Sequence, residues 1–166
     1  MAAEAPGRGV PRRGISSASI AGARRPTVLS LTSYADRLYV AGLQSTEGGI
    51  IEQAGASNVA GAAKITGNPL IDVEAIVALK PDVIVIHQPP DSAEPFRQRL
   101  LATAALASVP AVASRRVFIL SPRLFTTLSF WNLRGAEELA HVLWSSVPLP
   151  DAFPTMDRPL AVRSCP

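Results

Sequence analysis

Cysteine is nearly missing from this 166-residue chain, and the single one, Cys165, is the penultimate residue. Neither an internal disulfide nor a cysteine-based metal site can form. Such usage fits a reducing compartment, and equally a bacterial periplasmic protein that does without disulfides. Histidine is scarce as well: His87 and His141 stand 54 positions apart with no cysteine to complete a ligand set, so no protein-bound metal is expected. No run approaches the ~18 apolar residues of a membrane span. The chain also lacks a G-x-S-x-G elbow, an H-E-x-x-H helix, a Walker-type phosphate loop and a G-x-G-x-x-G after a strand. Its nearest glycine cluster, Gly7-Arg8-Gly9, precedes no helix. No catalytic residue and no cofactor are called for.

Lysine occurs only at Lys64 and Lys80, so arginine carries the net charge of +3. Five of the sixteen basic residues (Arg8, Arg12, Arg13, Arg24, Arg25) and only one of the thirteen acidic residues, Glu4, fall in residues 1–25. The remaining eleven bases and twelve acids nearly cancel. A nucleic-acid-binding domain carries its basic stripe on the folded body, so that class is excluded. Arg12-Arg13 followed by Ile15–Ala23 superficially resembles a twin-arginine export signal. Ser16, Ser17 and Ser19 interrupt its apolar region, and no convincing export signal results.

What is present is a folded middle between two tails. A hydrophobic fraction of 48% with 17% charged residues is that of a globular chain, and the length suits one domain. Residues 1–25 read as a disordered basic tail and 145–166, with Pro148, Pro150, Pro154, Pro159 and Pro166, as a poorly ordered Pro-rich one. Between them Thr27–Thr32 is strand-like. Ser33–Thr46 reads as a connection and Glu47–Ala54 as a short helix stopped at Gly55. Asp72–Lys80 reads as a helix with Asp72 as N-cap and Pro81 as its stop. Asp82–Ile86 (DVIVI) has the continuous apolar pattern of a strand buried on both faces. Phe96–Leu106, Val117–Leu120 and Asn132–Trp144 read as helix, strand and closing helix. In the last, Leu133, Ala136, Leu139, Ala140 and Leu143 form the inward arc. The alternation predicts a three-layer α/β domain, an open, mainly parallel sheet of four or five strands with helices on both faces.

Polar and aromatic residues collect just past the strands: Tyr34, Tyr39 and Gln44; Thr66–Pro69; His87–Asp91; Arg123, Phe125, Phe130 and Trp131. Most lie where open α/β sheets bind ligands, at the carboxyl ends of strands. Tyr34, Asn68, Gln88, Arg123, Phe125 and Trp131 are the candidate ligand contacts, a mixed aromatic and polar wall for a bulky ligand. An enzyme on this scaffold would need His87 beside an activating carboxylate, with Asp91 the nearest in sequence.

Four segments in order, EGGIIEQAGASNVA, IDVEAIVALKPDVIVI, SVPAVASRRVFIL and NLRGAEELAHVLW, carry a resemblance. From Pro26 to Trp144 the chain resembles the C-terminal lobe of periplasmic binding proteins for ferric siderophores, haem and cobalamin. The resemblance implies a non-catalytic, substrate-binding part of an ABC importer, periplasmic in location. Its metal-chelate cargo would be held between two lobes, and it would meet the membrane only through the permease. It also implies that Glu74 docks on a permease arginine. The N-terminal lobe and the linking helix are not in the sequence, which leaves a truncated remnant without function as the rival expectation.

Overall fold

The computed structural model describes residues 24–129 and 131–144; the expected tails (save Arg24 and Arg25), the arginine pair with its apolar stretch, and Phe130 lie outside them. The element order is β1 (Thr27–Tyr34), β2 (Arg37–Val40), α1 (Thr46–Gln53), β3 (Ser57–Asn58), α2 (Val59–Ala62), β4 (Leu70–Ile71), α3 (Val73–Leu79), β5 (Val83–Ile86), α4 (Pro90–Ala102), a 3-10 turn (Ala104–Leu106), α5 (Pro110–Ala113), β6 (Val117–Ile119), α6 (Pro122–Phe125) and α7 (Asn132–Leu143). Among the described residues no helix is long and apolar enough to cross a membrane.

The sheet runs β4-β2-β1-β5-β6, with β3 also paired to β1. Strands β3, β1, β5 and β6 are mutually parallel, β1 aligning Val28 with Val83 and Leu31 with Ile86. All four residues of β5 are buried, as expected for a central parallel strand. Alternate side chains feed two cores. Leu29, Leu31, Ile84 and Ile86 meet Ile76, Phe96, Leu100 and Leu106 on one face. Val28, Val83 and Val85 meet Ile50, Ile51, Phe125, Ala136 and Leu139 on the other. Helices therefore cover both faces, and the three-layer expectation holds.

The sheet is less parallel than expected at one margin, because the connection 33–46 contains a β-hairpin. Ala35 (φ 48°) and Asp36 (φ 58°) both sit in the left-handed region, and β2 pairs antiparallel with β1 from Tyr34↔Arg37 to Leu31↔Val40. Two positive φ values at the centre of a two-residue hairpin define a type I′ turn, whose usual residues are Asn and Gly. Ala-Asp gives no such signal.

Helix α3 starts where expected: Asp72 caps it, its carboxylate accepting from Ala75 N at 2.8 Å. Lys80 closes it in the left-handed region, φ 47°, ahead of Pro81. Helix α4 begins six residues earlier than expected, at Pro90, where a missing N–H costs nothing; Pro95 lies inside it. It also ends earlier, since Thr103 is extended and a 3-10 turn follows. On α7 the expected inward arc holds for Ala136, Leu139 and Ala140, whereas Leu133 is 56% exposed. It sits on the helix's first turn, where the body offers it no cover.

Arg24 and Arg25, assigned to the tail from sequence, are bound to the body. Arg24 pairs with Asp82 at 3.2 Å. Arg25 reaches Glu52 at 2.8 Å and the carbonyls of Gly55 and Ala56.

The type I′ turn supplies a test. Alanine in the left-handed region costs roughly 1 kcal/mol relative to a residue suited to it. Replacing Ala35 by Asn together with Asp36 by Gly should raise the melting temperature by ~4–8 °C. A thermal melt followed by circular dichroism checks this, and an unchanged or lower midpoint contradicts the turn assignment.

Candidate functional site at the carboxyl edge of the sheet

Among the described residues five polar ones are buried: Ser30, Glu47, Asn58, His87 and Gln88. Asn58, the asparagine of the sequence's Ala-Gly-x-x-Asn-Val turn, is a structural staple. Its side-chain oxygen accepts from Ala60 and Gly61 N–H, capping α2, while its amide donates to the carbonyls of Ala41 and Gly42. Of the other four, Ser30, His87 and Glu47 are joined through their side chains, while Gln88 bonds Ser33.

Ser30 lies on the same face of β1 as Val28, and His87, one residue beyond β5, continues the face of Val83 and Val85. The Ser30 hydroxyl lies 3.0 Å from His87 Nδ1. On the other side of the ring, Nε2 lies 3.4 Å from Glu47 Oε1, which α1 brings in with its first turn. Ser45 caps that helix, accepting from Gly48 N. The Phe125 ring stacks on His87 with centroids 5.9 Å apart. The Asn68 side chain, from the loop ahead of β4, also favours the ionised form of the Glu47 carboxyl.

Burial pushes the Glu47 carboxyl up. The hydrogen bond from His87, the residue's own backbone N–H, the attraction of the imidazole and the Asn68 amide outweigh burial, and the group ends below the ordinary glutamate range. Glu138, on α7, goes the opposite way: burial raises it, only partly opposed by the hydrogen bond from Ser121 N.

Serine, imidazole and carboxylate in series is the arrangement of a hydrolase triad. The access differs: Ser30 is fully buried in a central strand, so no carbonyl can reach its oxygen. Asp91, the carboxylate nearest His87 in sequence, is exposed on the first turn of α4, and Glu47 takes the place at the ring. The arrangement braces the sheet edge.

The six candidate contacts divide. Tyr34 is 76% exposed at the end of β1. Asn68 and Arg123 are exposed and Trp131 is half-buried. Two are corrected by burial. Phe125 is fully inside the second core, because α6 turns it down onto His87. Gln88 is buried, its side-chain oxygen accepting from Ser33 N at 2.9 Å, so it ties the end of β1 to the end of β5. Glu74 is exposed in the first turn of α3.

An open depression of about 470 Å³ lies elsewhere, lined by residues that include Leu43, Gln44, Gly48, Glu52, Asn58 and Gly61. It contains none of the six. Among the described residues no three His, Cys, Asp or Glu side chains gather as a metal set.

A three-layer α/β lobe, its sheet flanked by helices on both faces, is the class that the fold defines. Residues 16–124 match the family model for periplasmic binding proteins, and the chain belongs to that family. No curated protein matches it. Among solved structures, the periplasmic heme-binding protein RhuT from Roseiflexus sp. RS-1 in apo form is similar at 22% identity and TM-score 0.68, over 80% of this chain and 51% of that one. A periplasmic heme-binding protein from Pseudomonas aeruginosa is similar at 27% identity and TM-score 0.65, over 80% and 47%. A protein of an ABC-type Fe3+-hydroxamate transport system from Saccharomonospora viridis shares the fold at 16% identity and TM-score 0.67, over 80% and 46%. The chain thus spans about half the length of these relatives.

The Glu47 carboxylate makes a pH prediction. Its folded-state affinity for protons is depressed, so its contribution to stability is full above the unfolded glutamate pKa of ~4.3 and is lost as pH falls through the folded value. Glu47→Gln should therefore lower stability at pH 7 and narrow its gap to wild type as pH falls below ~4. Urea melts between pH 7 and 3 measure the gap, and a pH-independent gap contradicts the ionised brace.

Proposed function

We propose that this chain is one lobe of the solute-binding component of an ABC importer. It would take a metal-chelate cargo, such as a ferric siderophore, haem or cobalamin, against the carboxyl edge of its sheet, in the periplasm and without catalysis. The observation that supports this reading is the match of residues 16–124 to the periplasmic binding protein family. Tyr34, Asn68 and Arg123 are exposed and Trp131 is half-buried, so they remain the candidate contacts, whereas Gln88, His87 and Phe125 are buried. The similar structures include heme-binding proteins and a protein of an Fe3+-hydroxamate transport system, which supports a chelate as the class of cargo.

Small-molecule sites bury ~70–90% of their ligand, and one open edge covers about half of that. A second lobe is the partner this reading requires for the other wall. The chain alone should bind ferric hydroxamates or haem with a Kd of ~0.1 mM or weaker, since each tenfold of affinity is about 1.4 kcal/mol. A matching lobe fused in the same chain should restore tight binding. Titration calorimetry decides, and sub-micromolar binding by the monomeric chain contradicts the half-site.

Glu74 is the residue proposed to meet the permease. The null role of an exposed helical glutamate is solubility, for which reversal of its charge is harmless. At a complementary contact the same reversal costs several kcal/mol. In a two-lobed chain Glu74→Arg should impair uptake and leave cargo affinity unchanged; normal transport in a vesicle uptake assay rejects the docking role.

A further inference from the structure

The bases of this chain are segregated in space, and the topology of the sheet contributes to it. A helix returning between parallel strands ends near the amino edge of the sheet, where its last carbonyls favour cations. Lys80 closes α3 there, just ahead of β5. Arg115 and Arg116 stand between α5 and β6, and Arg24 and Arg25 stand ahead of β1. These three strand entries are joined. Arg24 pairs with Asp82, whose N–H donates to the Thr27 carbonyl at 3.0 Å. Ala111 N donates to the Pro81 carbonyl at 2.9 Å, and Arg116 N to the Ala111 carbonyl at 2.7 Å. Lys80 and Arg115 are exposed, and neither pairs with an acid among the described residues.

The basic segment 1–25 enters the body at this same edge. With the entries to β5 and β6 (residues 80–82 and 114–116) it holds eight of the sixteen bases but two of the thirteen acids. Eight bases against eleven acids remain for the rest of the chain, so the positive charge belongs to one side. Beside Arg115 lies an open depression of about 360 Å³, whose wall includes Leu101, Ala102, Ala107 and Val112. Cations next to an apolar recess match the interface of an anionic bilayer, which presents phosphates above an apolar boundary. Nucleic acid fits less well. No aromatic platform for single strands stands among residues 80–82 or 107–116, and the four residues of α5 make a poor element for a major groove.

We infer that the amino edge of the sheet is a docking surface for anionic phospholipid, with Lys80, Arg115 and Arg116 meeting headgroup phosphates and the depression receiving an apolar group beside them. The contact is direct, whereas the family resemblance implies a meeting with the membrane only through the permease. It does not depend on the cargo reading: Tyr34, at the carboxyl end of β1, and Arg123, past that of β6, lie at the other end of the strands.

The test is flotation of the full chain with vesicles of phosphatidylcholine, alone or with about a quarter phosphatidylglycerol, at ~0.1 M salt. The chain should float with the second kind only, and should be released as salt approaches ~1 M. Each base at such a surface is worth about fivefold in affinity, so Lys80→Gln with Arg115→Gln should weaken binding about 25-fold. Both side chains are exposed and unpaired, so the far-ultraviolet circular dichroism should not change. Arg37→Gln, an exposed change beyond the carboxyl end of β1, should leave flotation as it is. Equal binding to both vesicles, or an equal loss from Arg37→Gln, overturns the assignment. Unchanged binding by the double variant transfers the contact to residues 1–23 and overturns the edge. Complete displacement by duplex DNA or polyglutamate at the same charge concentration overturns it too, because the edge then reads charge without lipid.

Discussion

Both layers of helices depend on the parallel ladder of β1 with β5, whose residues are buried on both faces at once. Leu29, Leu31, Ile84 and Ile86 form one side of that ladder and Val28, Val83 and Val85 the other. A strand so placed has no solvent side, and any polar atom on it needs a partner inside, at a cost of ~1–3 kcal/mol if none is found. Ser30, within the ladder, and His87, one residue past β5, are buried polar residues on its second face. They satisfy one another, and the ring's second nitrogen calls for Glu47, which fixes where α1 begins. The chemistry of one imidazole thus links the second core to the open edge of the sheet.

Much of this was legible where the local signal and the tertiary outcome coincide. Asp72, Pro81 and the four apolar residues of β5 state their structure within fifteen residues, and the fold agrees because capping, chain stiffness and burial all act locally there. The hairpin was not legible, since Ala35 and Asp36 adopt positive φ without the residues that advertise it; the ladder with β1 and β4 imposes the turn. The start of α4 was hidden by Pro95, which reads as a break. At the sixth helical position it forgoes one intrahelical hydrogen bond, and the packing of Ala93, Phe96 and Leu100 in the core holds the helix on either side of it.

For the candidate site residues, sequence did not foresee depth. Tyr34, Asn68, Arg123 and Trp131 lie at the surface in whole or part, whereas Phe125 and Gln88 lie beneath it. A residue just past a strand faces either way depending on the turn that follows, and a four-residue helix such as α6 has too few residues for an apolar stripe to settle the matter. The Glu47–His87 pair bridges forty positions, and no spacing rule joins them. A usable clue was Glu47 itself, a charged residue in a segment otherwise able to bury its apolar side.

The burial of Phe125 changes what the edge can do. With its ring committed to His87, aromatic contact to a ligand would rest on Tyr34, exposed at the end of β1, and Trp131, half-buried at the start of α7. Of the other candidates, Asn68 and Arg123 are exposed polar side chains, and Gln88 is buried and already bonded to Ser33. An apolar face pressed against such an edge would strip water from polar groups without replacing their bonds, which is unfavourable. A ligand with donors and negative charge on its rim loses less, because Asn68 and Arg123 replace the water it gives up. On the proposed reading, these side chains would therefore meet the polar periphery of a chelate at less cost than a flat hydrophobic ring.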